Sequence, residues 1–240
     1  MAPRDDLPRP LRLAYFGLLR LLPDPVVMSG PNSERAVALT FDDGPHRPYT
    51  DEILSILADR AVPATFFLLG RNVAAHPDVV RKIAAAGHVV GTHTYSHPVG
   101  VRWGPVRFAR EIVRTHRLIA RATGQAPKLF RPPRGHYDPL FFAGLRITMG
   151  YTVVLWSLAA KDWRGDSAAQ ITTRVVAGAG PGTIVCLHDG AGDAGEGASE
   201  DRSQTVAALP LIIDRLTEEG YRFVTVTAML ELDGERGTDA

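Results

Sequence analysis

The chain has 240 residues, 45% hydrophobic and 22% charged, which fits one large α/β domain of a globular protein. A formal net charge of +1 excludes a nucleic-acid groove that works by bulk charge, and the aromatics are not interleaved with a basic stripe. One cysteine, Cys186, excludes an internal disulfide and is read as excluding cysteine-ligated metal sites as well.

Residues 11–22 are apolar but interrupted by Arg12 and Arg20. The run is too short and too charged to span a bilayer, so no transmembrane segment is expected. Asp5 and Asp6 spoil the basic region of a signal peptide, and no small-x-small site follows. The expectation is therefore an amphipathic helix packed on the body of the protein, with a cytoplasmic location following from the missing export signal. A membrane-surface anchor has few basic residues to support it. A Pro/Gly-rich linker leads to residue 35.

Ala36-Val37-Ala38-Leu39-Thr40-Phe41 reads as a core strand and runs into Asp42-Asp43-Gly44-Pro45-His46. Two adjacent carboxylates repel each other and want a counterion, a metal or an arginine. In a plain strand they would point to opposite faces; the Gly-Pro turn could bring both to one pocket. The same residues also make ordinary surface turns. Thr50 is placed to cap a helix whose stripe is Ile53, Leu54 and Leu57. Strands are expected at 64–70, 88–93, 128–131, 151–156, 183–187 and 221–226. Helices are expected at 78–86, 105–123, 139–148, 168–177 and 205–219. Cys186 lies in one of these apolar strands and reads as a buried, inert thiol. The glycine-rich stretch 190–200 reads as a solvent loop, with a lid as the alternative. The arginines between 107 and 121 read as a solvated helix face, and the chain after residue 230 as a frayed tail.

Strands and helices alternate throughout, the signature of parallel strands joined by helical crossovers. The polar residues of interest follow strands: Asp42, His93, Arg131, Asp162 and His188. In barrels and open parallel sheets, that end of the strands is where sites are built. His93 and His97 are four apart, a spacing that puts two imidazoles on one side of a helical turn, where they can share a metal. Asp43 is an oxygen donor at a neighbouring strand exit, and two histidines with one carboxylate leave positions for water and substrate.

Five blocks in this order resemble the NodB-type polysaccharide deacetylases, carbohydrate esterase family four. They are Thr40-Phe41-Asp42-Asp43-Gly44-Pro45, His93-Thr94-Tyr95-Ser96-His97-Pro98, Arg131-Pro132-Pro133-Arg134-Gly135, Trp156-Ser157-Leu158-Ala159-Ala160-Lys161-Asp162-Trp163 and Ile184-Val185-Cys186-Leu187-His188. The resemblance covers nearly all of residues 36–226. It implies an irregular (β/α)7 barrel over residues 36–228, preceded by the helical extension and linker (1–35) and followed by a polar tail (229–240). It also implies hydrolysis of the N-acetyl amide of an N-acetylglucosamine-containing saccharide, of chitooligosaccharide or peptidoglycan type. By resemblance Asp42 is the general base, Asp43, His93 and His97 are the metal ligands, and Arg131 orients Asp42. The backbone N–H of Arg134 meets the oxyanion, His188 is the general acid and Leu187 lines the acetyl pocket. Zn2+ is the expected ion, with Co2+ or Ni2+ fitting the same donors. Tyr49 and Trp163 are candidate substrate contacts. A deacylase or deformylase of a small or lipid-linked amide, and a carbohydrate-binding relic of the fold, are the alternatives.

Two positions depart from the family pattern. Arg134 stands where an aromatic is usual. Ala159 stands where the family has an aspartate that partners the acid histidine. The sequence therefore predicts a His188 without its charge partner and with a lowered pKa, unless Asp162 takes over.

Overall fold

The structure, a computed structural model, describes residues 26–98, 104–136, 138–192 and 200–234. Its strands are β1 (Val26–Val27), β2 (Ala36–Asp42), β3 (Thr65–Leu68), β4 (Val89–Thr92), β5 (Leu129–Phe130), β6 (Thr152–Val154), β7 (Leu158–Ala159), β8 (Thr183–His188) and β9 (Arg222–Phe223). They pair in the order β1-β6-β5-β4-β3-β2-β8-β7, with β9 also on β2. Every pairing is parallel. The helices are α1 (Tyr49–Asp59), α2 (Gly70–Ala75), α3 (Pro77–Ala85), α4 (Pro105–Thr123), α5 (Pro139–Met149), α6 (Ala168–Gly178), α7 (Ser203–Glu218) and α8 (Val226–Gly234). The sheet curls into the expected irregular, incomplete (β/α) barrel. None of the described helices is long and apolar enough to cross a membrane.

Strand alternation sorts the side chains into two populations. On β2, Val37, Leu39 and Phe41 join Phe66, Leu68, Val185 and Leu187 in the layer between sheet and helices, against Ile53, Leu57, Ile171, Leu209 and Ile212. Ala36 and Ala38 face the barrel interior with Phe67, Val154 and Ile184. The next residues on that interior face are Thr40 and Asp42 on β2, and Cys186 and His188 on β8. The interior is thus apolar at the bottom and polar at the top, where the strands exit. β2 is buried along its whole length, which explains why it reads as a near-continuous apolar run.

Several local expectations change. Val26–Val27, read as linker, pairs with Val153–Val154 because two β-branched residues extend the sheet edge. The 221–226 strand shrinks to Arg222–Phe223, and Val226 starts α8 instead. Met229 on α8 is fully buried against Ala36, Ala38 and Ile184, so packing runs past residue 228. Thr50 does not cap α1, which begins at Tyr49 without a side-chain cap. Its hydroxyl instead accepts from the His46 N–H at 2.8 Å and donates to Asp189 at 2.6 Å. The expected N-terminal helix at 11–22, most of the 190–200 loop and Trp103 lie outside the described residues.

Met229→Ala should cost about 2–5 kcal/mol of unfolding free energy, the range for emptying a buried Met site. A frayed tail would give essentially no change in a urea melt.

Candidate active site

Asp42 ends β2 and points into the barrel. Asp43 follows with φ 76°, a left-handed backbone that turns its side chain toward the same pocket. The two carboxylates thus reach one space, and their surroundings differ. Asp42 Oδ1 accepts from Arg131 Nη1 at 2.7 Å, and its Oδ2 lies 3.5 Å from Cys186 Sγ. Asp43 Oδ2 accepts from the Gly192 N–H at 2.8 Å, and its carbonyl accepts from Asn72 Nδ2 at 2.7 Å. Asp43 Oδ1 is buried with no hydrogen-bond partner among the described residues. It faces His93 Nε2 at 3.6 Å and His97 Nε2 at 3.7 Å.

The histidine pair is not on a helical turn. His93 leaves β4, Thr94 and His97 take φ 69° and 59°, and the two rings come to 5.2 Å between centroids. The loop between them is held from outside: Glu111 of α4 accepts from the N–H groups of Tyr95 and Ser96, and Arg114 stacks over Tyr95. Arg71 of α2 donates to the carbonyls of Ser96 and Ala191, joining this loop to the one after β8. A Cβ on Gly192 would lie 2.9 Å from the His97 ring, so only glycine lets that segment reach Asp43. Likewise a Cβ on Gly44 would lie 2.0 Å from the Asp189 carboxyl.

His93 Nδ1 donates to the Arg131 carbonyl at 2.8 Å, which leaves Nε2 as the lone-pair atom facing Asp43. Burial drives its pKa down to about 3 against the opposing pull of Asp43, so the ring is neutral. An orphaned carboxylate oxygen and two imidazoles whose ligating atoms all fall within 4.8 Å fit a divalent cation.

Opposite this group, His188 Nδ1 donates to Asp162 Oδ1 at 2.8 Å. The other Asp162 oxygen accepts from the His188 N–H and the Thr205 hydroxyl. Of the two alternatives that Ala159 left open, an unpartnered acid or one partnered by Asp162, the structure has the second. Ala159 sits on β7 beside Cys186, while Asp162 begins the next short 3-10 turn and is itself buried. Burial alone would lower the His188 pKa, but Asp162, with Asp43 and Asp42 farther off, raises it to about 9. Burial likewise acts to raise Asp162, and the His188 charge and hydrogen bonds outweigh it and hold the carboxyl low. Trp163 packs edge-on against the His188 ring at 5.1 Å.

Leu187 is not in this pocket. It is fully buried in the layer beneath the helices, one residue out of phase with His188. The β8 side chain on the His188 face is Cys186. Arg134 takes φ 56° in a 3-10 turn, with its side chain exposed. Tyr49 opens α1, stacked on His46, its hydroxyl donating to Asp201 at 2.9 Å. Asp189 was not anticipated. Burial first, then the nearby Asp43 and Asp42 carboxylates, push it up to about 7 despite the Thr50 hydrogen bond. An acid directly after His188 at a strand exit was the available signal.

Asp43→Asn and His97→Ala should each weaken metal binding by at least about tenfold, whereas Asp42→Asn should retain about one equivalent. Elemental analysis after dialysis against a weak chelator reads this. Equal losses in all three proteins would overturn the division of labour between the two aspartates.

The sequence profile of the polysaccharide deacetylase family matches residues 29–154. A peptidoglycan-N-acetylglucosamine deacetylase of Bacillus cereus is 39% identical over 210 residues, 87% of this chain and 73% of that one. A chitooligosaccharide deacetylase of Bradyrhizobium is 38% identical over 191 residues, 78% of this chain and 87% of that one. Among solved structures, the Bc1960 peptidoglycan N-acetylglucosamine deacetylase superimposes with a TM-score of 0.81 at 36% identity, covering 90% of this chain and 96% of that one. With the five blocks gathered around one pocket and relatives of this identity over most of its length, the chain belongs to the polysaccharide deacetylase family, carbohydrate esterase family four.

Proposed function

We propose that this chain hydrolyses the N-acetyl amide of an N-acetylglucosamine-containing saccharide, of the peptidoglycan or chitooligosaccharide type, and releases acetate. The observation that carries the reading is the pair Asp42 and Asp43 in one pocket with opposite surroundings. One is locked to a buried arginine. The other turns an oxygen that lacks a hydrogen-bond partner among the described residues toward two imidazoles.

Asp43, His93 and His97 would hold a divalent ion, and zinc suits the donors, with cobalt or nickel as substitutes. Such an ion, when bound, supplies Lewis-acid polarisation of the carbonyl and eases deprotonation of water. Asp42 then acts as base. Arg131 fixes its Oδ1, so Oδ2 is the oxygen that takes the proton of the attacking water. His188 gives a proton to the departing amine, and Asp162 keeps it charged and oriented for that step. Trp163 limits the motion of the His188 ring. On the left-handed turn at Arg134, the family resemblance assigns the backbone N–H to the developing oxyanion. Cys186, rather than Leu187, supplies the small apolar wall beside Asp42 and His188 that an acetyl methyl would meet.

Retention of every one of these groups speaks against a binding-only relic. The rival, a deacylase of small amides, separates by substrate. Acetate release from N-acetylglucosamine oligomers should exceed that from small acetamides by at least about tenfold in kcat/KM, because binding of remote sugars is used at the reacting centre. Equal rates on both would favour the rival.

The pH profile tests the acid. A folded-state pKa raised from 6.5 to about 9 puts the basic limb of kcat/KM near pH 9. Asp162→Asn should move that limb down by at least about one unit, about 1.4 kcal/mol of lost interaction. Ala159→Asp should leave it in place, because the imidazole N–H is already taken. By the same linkage the pair stabilises the fold fully below pH 6.5, and that contribution is lost as pH rises through about 9. A limb that moves in Ala159→Asp and stays in Asp162→Asn would reverse the assignment.

A further inference from the structure

A single cysteine argues against a metal site built from cysteines, yet Cys186 stands beside two other strong ligands. Cys186 and His188 are two apart on β8 and share the interior face, and Asp42 is the register partner of His188 on β2. One ligating atom from each of Asp42, Cys186 and His188 lies within 4.8 Å of the other two. Arg131 occupies Asp42 Oδ1, so Oδ2 is the oxygen turned to the sulfur, at 3.5 Å. His188 has the second bond that ligating imidazoles have: its Nδ1 donates to a buried carboxylate, and Nε2 can bind in exchange for its proton.

We propose that Asp42, Cys186 and His188 form a second metal site, selective for thiophilic divalent ions, and that filling it stops turnover. Sulfur, nitrogen and oxygen donors together favour zinc or cadmium over harder ions, while the Asp43–His93–His97 group has no sulfur. On binding, the Sγ–H and His188 Nε2–H bonds break, both protons leave to solvent, and sulfur–metal and nitrogen–metal bonds form. Carboxylate and thiolate together then balance the double charge of the ion. Asp42 Oδ2 is only 4.0 Å from His93 Nε2, so an ion here adjoins the first and is repelled by it. The second site is therefore the weaker one and fills only at excess metal. Turnover stops because the groups read as base and acid are both coordinated. That consequence rests on the roles given above to Asp42 and His188, whereas the binding itself does not.

The test starts from protein carrying one equivalent of zinc and adds cadmium, following ultraviolet thiolate-to-cadmium charge-transfer absorption and acetate release in parallel. The chain has one cysteine, so any such band reports Cys186. In the wild type the band should saturate at one cadmium per chain, and activity should fall in step by about tenfold once cadmium exceeds the Kd of this site about tenfold. Cys186→Ala and Cys186→Ser should show no band and keep most of their own one-equivalent activity at the same cadmium concentration. No band in the wild type overturns the site, and that readout stands whether or not the saccharide is the true substrate. A band without loss of activity, or equal loss in Cys186→Ala, overturns the blocking role.

Discussion

A charged guanidinium with no solvent exposure anchors the upper barrel. Arg131 donates to Thr40 and Asp42 on β2 and to the carbonyls of Val154 and Leu155 at the end of β6. Its own N–H binds the Thr92 carbonyl, and its carbonyl accepts from His93. The guanidinium lies 4.1 Å over the Phe67 ring, the last apolar layer below it. Removing one partner of such a buried pair typically costs about 3–5 kcal/mol, because the remaining charge is stranded. One side chain therefore sets the strand spacing, the orientation of the base and the ring position of one metal-site histidine.

Around that anchor, the site divides into two halves with opposite electrostatic tasks. The Asp43 half gathers a carboxylate and two imidazoles in a buried corner. The His188 half keeps an imidazole protonated by giving it a carboxylate of its own. Only Asp42 belongs to both, and it stands between them with one oxygen committed to Arg131. Bonds running in from α2 and α4 make the loops carrying these groups stiff without adding apolar bulk near the substrate.

Much of this was legible in the chain. Strands buried on both faces announce themselves as apolar runs, and polar residues at their exits mark the working end. Asp43, His93 and His97 were readable because their spacing and types leave few other uses. Three features were hidden for specific reasons. Asp162 was named as the substitute for position 159, but whether it reaches His188 depends on where a short 3-10 turn leaves β7, which residue types do not encode. Assigning Leu187 to the pocket ignored the period of two. Counting back two residues from His188, rather than one, gives Cys186. Met229 was lost because Glu231, Asp233 and Glu235 made the segment look polar, although Val226, Met229 and Leu230 carry helical spacing.

Among the described residues, the left-handed non-glycine positions are concentrated where the chemistry is: Asp43, Thr94, His97 and Arg134 of six. Each costs of order 1 kcal/mol or more, which the surrounding bonds must offset. An engineer who selects this protein for heat resistance alone would therefore be drawn to these positions, since glycine or asparagine relieves the strain. The gain in melting temperature would come out of the rigidity that aims the carboxylate and imidazoles, so thermal selection and catalytic selection would pull the same four loop residues in opposite directions.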